Sequence, residues 1–185
     1  MLKRKKRASG SVGYVFLFLV VMMIMIITMY LMQVAKLMTH QHHVDDALCD
    51  SVLASLVADD VYYFETYEQI GTAVIRFEDV DESYDIFVDC MMDAVGNTED
   101  FYYNFTIDKF ICYEVNGPSI RIITYSGSSG TKTISNGRVG YVRTPTGELV
   151  TKTSAYGKVR FDIESILDGS FITKTKDIYC ALEIN

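Results

Sequence analysis

Between Val12 and Met32 there is no charged residue, and over residues 37–100 a single base, Arg76, stands against sixteen acids. That shortage of base, with a formal net charge of −7, excludes a general nucleic-acid binder, which presents a basic face. Proline occurs only twice and tryptophan not at all, while 49% of residues are apolar and 22% charged, so neither a disordered nor a fibrous chain is indicated. The recognised signatures of chemistry are missing too. There is no CxxC pair, no GxSxG or SxxK motif, and no glycine-rich loop that opens a helix to cradle phosphate. No catalytic residue, resident metal or cofactor is expected, and the chain is not read as an enzyme.

What is present falls into blocks. Residues 1–11 carry five cations, Lys3, Arg4, Lys5, Lys6 and Arg7, and no acid. Residues 12–35 form an apolar run in which Thr28 is the one strongly polar side chain of Val12–Met32. As a helix those 21 residues reach roughly 32 Å, enough to cross about 30 Å of hydrocarbon. Tyr14 and Tyr30 stand near the two ends, where interfacial aromatics belong. A cleaved signal peptide has a shorter apolar stretch, of about 7–15 residues, followed by small residues. The nearest such cut, after Val34-Ala35, is poor, so a retained anchor is expected. The cations before the span place the N-terminus in the cytoplasm and the rest outside the membrane. No ionisable group lies in the span to relay protons or ions.

Beyond the span, Val34, Leu37, Met38, Val44, Leu48, Val52, Leu56 and Val57 recur at helical spacing, backed by Asp45, Asp46, Asp50, Asp59 and Asp60. No glycine or proline interrupts Tyr14–Val61, which predicts one helix of about 45–50 residues, its amphipathic extension covering residues 36–60. Such a stripe needs a cover, supplied by the downstream domain or by a neighbouring copy. Residues 61–77 are aromatic-rich and ambiguous. Asp81–Val95 reads as a helix capped by Asp81 or Ser83.

From Tyr103 onward the period is two. Strands are expected at Tyr103–Val115, Ser119–Tyr125, Lys132–Ser135, Arg138–Arg143, Glu148–Ser154, Val159–Ile163 and Lys176–Ile184, with hairpin turns at Asn136-Gly137 and Thr146-Gly147. The fold class is therefore α+β: a long N-terminal helix, transmembrane then amphipathic, packed against a small, mainly antiparallel sheet that forms an extracytoplasmic head over residues 61–185.

Single features have modest readings. His40 and His43 share a helical face with Asp46, but a metal needs three or four converging ligands, and a polar patch near the headgroups is the ordinary reading of such a tract. Cys49, Cys90, Cys112 and Cys180 allow three complete disulfide pairings, among which a strand–strand and a helix–helix bridge are the simple ones; buried free thiols are the alternative. Asn104-Phe105-Thr106 fits a glycosylation sequon.

A basic tail, a glycine just before the apolar run, a long half-membrane helix and a small head together resemble the type IV pilin-like proteins. The resemblance is to the Tad (tight adherence) branch and its TadE/TadF-like minor subunits. It rests on Arg7-Ala8-Ser9-Gly10-Ser11-Val12, the span to Met32 and His43-Val44-Asp45-Asp46-Ala47-Leu48. It implies cleavage by a prepilin peptidase between Gly10 and Ser11, and assembly with other pilin-like subunits in a pilus, secretion or conjugation apparatus. The family usually carries Glu five residues after the cut, where this chain has Val15. That departure points to a minor or initiating subunit, a membrane-resident pseudopilin, or an uncleaved single-pass module of a membrane complex.

Overall fold

The computed structural model describes residues 10–71, 74–96, 98, 102–127 and 129–182. The cationic residues Lys3, Arg4, Lys5, Lys6 and Arg7 lie outside the described residues. The architecture is α+β: helices α1 (Gly10–Ala54), α2 (Asp60–Ile70) and α3 (Val80–Gly96) precede strands β1 (Tyr103–Asn116), β2 (Ser119–Ser126), β3 (Thr131–Arg138), β4 (Ser154–Glu164) and β5 (Phe171–Ala181).

The first helix runs unbroken for 45 residues. It stops at Ala54, short of the expected residue 60, for a reason that involves neither glycine nor proline. Ser51 and Ser55 turn their hydroxyls back onto the carbonyls of Ala47 and Val52. The chain then folds over to form an isolated bridge, Ala58 to Phe77. Asp59 opens a new helix by accepting from Tyr62 N at 2.9 Å, so the ambiguous aromatic stretch begins as α2. In α3 the cap is Asp79, whose Oδ1 accepts from Asp81 N at 2.8 Å; Asp81 is instead engaged by Lys132 and Tyr125.

The sheet has order β3-β2-β1-β4-β5 and is antiparallel throughout. One face is covered by α1 and α3. Val44, Leu48 and Val52 of α1 and Phe87 and Met91 of α3 pack on Phe110, Cys112, Ile123, Val159 and Phe161. The other face carries a smaller cluster of Ile111, Tyr113, Ile120, Val150 and Tyr156. At the centre of β1, residues 110–113 are therefore buried on both sides, and alternation gives way to the continuous run Phe-Ile-Cys-Tyr.

Of two expected strands, Arg138–Arg143 and Glu148–Ser154, only Arg138 ends β3 and Ser154 begins β4; the rest belongs to the segment that covers this second face, bridged at Arg143–Leu149. The turn there does include Thr146-Gly147, with Gly147 at φ 93° donating to Thr144 O. Asn136-Gly137, by contrast, is not a turn. It lies inside β3, pairing with Arg121 and Ile120. A Cβ on Gly137 would run into Val142 Cγ2, so the glycine is there to let the covering segment close onto the sheet.

Candidate functional site

Among the described residues, nothing packs against the lower half of α1. Every residue from Gly13 to Met32 is exposed, including Val15, which occupies the position discussed above. The one polar side chain of this stretch is satisfied internally, Thr28 Oγ1 donating to Ile24 O at 2.8 Å. The helix is long and apolar enough to cross a membrane. Gly10 and Ser11 form its first turn, so the peptide bond named by the pilin resemblance sits at the start of the helix.

Immediately above, the same helix becomes the spine of the head. Gln33 Oε1 accepts from Ile166 N at 2.6 Å, and Lys36 Nζ donates to Glu164 O at 3.0 Å. Asp45 pairs with Lys176 of β5 at 2.6 Å, so part of the acidic back of α1 is matched by head cations within the chain. The buried stripe keeps the expected period and its expected centre, Val44, Leu48 and Val52, and takes in polar residues besides. Gln33, His40, Ser51 and Ser55 are buried, while Met38 is exposed.

His40 is thus not part of a solvent-facing patch. It is only 4% exposed, its ring edge-on to Tyr102 at 5.4 Å, and Tyr102 Oη donates to the His40 carbonyl while contacting His43 Nδ1 at 3.0 Å. Burial, and then the charges of Lys36 and His43, hold His40 below its ordinary value of 6.5, while burial pushes Tyr102 up to about 12. Because the folded state then binds fewer protons at His40 than the unfolded chain does, stability falls as pH drops below about 6.5 and levels off beneath the folded value. Thermal melts between pH 7 and pH 5 are expected to show this decline, and His40→Gln to flatten it; equal slopes in both proteins would place the titration elsewhere.

The remaining candidates separate. Among the described residues no group of three or more His, Cys, Asp or Glu side chains is placed to hold a metal ion. All four cysteines are unbridged. Cys112 and Cys180 pair with Ala155 from opposite sides of β4, two strand spacings or about 9–10 Å apart, which is too wide for the strand–strand bridge, one of the simple pairings. Cys180 instead meets the thiol of Cys49 on α1; burial, then that neighbour, pushes it up to about 11. Asn104 of the sequon sits at φ 49°, a left-handed conformation that Asn tolerates, at an irregularity in the β1–β4 pairing, with Nδ2 on Asp162 Oδ2 at 2.8 Å.

At the end of the head remote from the bare helix, Arg76, Tyr62, Glu114 and Arg121 border an open cleft of about 530 Å³. Both guanidiniums are already paired, Arg76 with Asp59 at 2.6 Å and Arg121 with Glu114 at 3.1 Å, and Arg76 also lies 3.7 Å over the Tyr62 ring. The cleft therefore presents little uncompensated charge, and no nucleophile stands beside a base in its lining. Val61, Phe64 and Tyr67 of α2 are exposed nearby. The aromatic content of residues 61–77 signalled this stripe, but only the α2 geometry shows which rings are free. Gln33 and the β4–β5 turn were invisible in sequence, because an isolated Gln and a six-residue turn carry no pattern.

The chain matches no family model, no curated protein and no solved structure.

Proposed function

We propose that the chain is a membrane-stored, pilin-like structural subunit, with its N-terminus in the cytoplasm and its head outside. One observation carries this reading: a single helix that is uncovered and, Thr28 apart, apolar over Gly13–Met32 continues without a break into the core of an antiparallel head. A helix kept for anchoring alone has no need to be the spine of the domain it holds. A helix that must pass from lipid to a bundle of like helices, with the head travelling as one piece, does. Lipid is as apolar as the partner helices, so close packing and polar contacts supply the specificity of assembly.

Val15 favours a second reading, an uncleaved single-pass module that accompanies a larger membrane complex. With no carboxylate in the span there is nothing to pair with a neighbour's freed amine. Intact mass of the protein recovered from its own cells separates the two. A chain beginning at Ser11, and held at full length by Gly10→Ala, is the result expected of the pilin-like subunit. A chain beginning at Met1 in both proteins leaves the accessory module.

A further inference from the structure

The strand β4 descends antiparallel to α1. Gly157 lies against Leu48 and Val52, and seven residues later Glu164 meets Lys36. The turn that follows, residues 165–170, is therefore carried to the level of Gln33 and Met32, where the uncovered part of the helix ends. Instead of being polar there, this turn exposes Ile166, Leu167 and the adjoining Phe171, each 43–54% accessible.

The backbone N–H groups of Ser165–Ser170 all find acceptors within the protein. The N–H of Ser165 donates to Ser170 O and that of Gly169 to Ser165 O; Ile166 N–H goes to Gln33, Leu167 N–H to Ser165 Oγ, and Ser170 N–H to Asp168 Oδ1. The Asp168 carboxylate also takes its own N–H and the Ser165 and Ser170 hydroxyls, and these donors hold it below the usual carboxylate range. Water-exposed turns also pair internally, but a turn pressed into a lipid surface must, because lipid offers its N–H groups no partner. Tyr103 stands beside it, edge-on to Phe171 at 5.0 Å with its hydroxyl toward Glu164, an apolar ring with a polar end of the kind that suits the headgroup layer.

We propose that the β4–β5 turn is a second membrane contact, with Ile166, Leu167 and Phe171 seated in the headgroup–acyl boundary beside the exit of α1. This inference rests on reading α1 as the membrane span. The ionised Asp168 sets the depth: the tip reaches the boundary layer and not the hydrocarbon. Together with α1 it gives the head two points of attachment, one through the bilayer and one on its surface, and so fixes which way the head faces.

The chain has no tryptophan, so single substitutions report one site each. The full chain in phosphatidylcholine vesicles is prepared as Leu167→Trp, as Met22→Trp within the span, and as Tyr141→Trp, an exposed position near the far end of β3. Leu167→Trp is expected to show emission shifted to the blue, quenching by lipids brominated near the headgroup and protection from iodide. Met22→Trp should be quenched by lipids brominated deeper in the chain, and Tyr141→Trp by iodide alone. If Leu167→Trp behaves like Tyr141→Trp while Met22→Trp is quenched by lipid, the proposal is overturned and the span stands. If Met22→Trp also escapes lipid quenching, the span reading itself has failed. A blue shift at Leu167→Trp without lipid quenching means that a second copy covers the turn, and this too overturns the proposal.

Discussion

Gly157→Leu is expected to destabilise the head by roughly 3 kcal/mol, the upper end of the usual range for overpacking. At this point β4 passes beneath both helices, and even a Cβ would stand 2.8 Å from Val52 Cγ2, 3.0 Å from Phe87 Cε2 and 3.2 Å from Leu48 Cδ1. Those three side chains are fully or almost fully buried, and Phe87 is stacked on Phe110 at 4.6 Å, so none has an empty neighbour to move into. Gly157→Ala should cost less than Gly157→Leu, because it adds one carbon instead of four and replaces a strand glycine that is itself unfavourable by about 0.5–1 kcal/mol, but Val52 must still give way to that carbon. Unfolding by urea in a fixed detergent, followed by circular dichroism, orders the three proteins. An unchanged midpoint for Gly157→Leu would mean that α1 is not seated on β4.

The second large effect lies in the bare half of α1. Its twelve Val, Leu, Ile and Phe residues between Val12 and Met32 favour insertion by about 4–7 kcal/mol in sum. Leu19→Arg together with Ile24→Arg moves that balance by about 6–8 kcal/mol the other way, enough to cancel or reverse it. After alkaline carbonate extraction the double variant is expected to leave the membrane pellet, whereas Tyr141→Arg, an exposed change at the far end of the head, should stay in it. Retention of the double variant would show that something other than this helix holds the chain in the membrane.

Patterns that repeat were legible in the sequence. The apolar run is legible from its length and composition, and the i, i+3, i+4 stripe through Val44, Leu48 and Val52 and the segments that became β1, β2, β4 and β5 from their spacing. What stayed hidden depends on individual side-chain contacts that no repeating pattern encodes. Asn136-Gly137 has the composition of a turn, yet it is a strand, because Val142 needs the space a side chain would take. His40 looks like surface, yet Tyr102, 62 residues away, closes over it. Asp59 starts the second helix by accepting a hydrogen bond from Tyr62 N and pairing with Arg76, which no periodicity announces. The candidate site divides in the same way: the bare helix is visible in composition, while the turn beside it becomes apparent only when β4 is seen to run back down α1.

Because α1 is one rod of 45 residues, roughly 68 Å from end to end, no joint separates the part that is uncovered from the part that the sheet grips. Load applied to the far end of the head passes along that rod without a compliant segment to absorb it. A few degrees of lean at the membrane become several ångströms of sideways travel at the top, so the tilt of one helix steers the whole molecule.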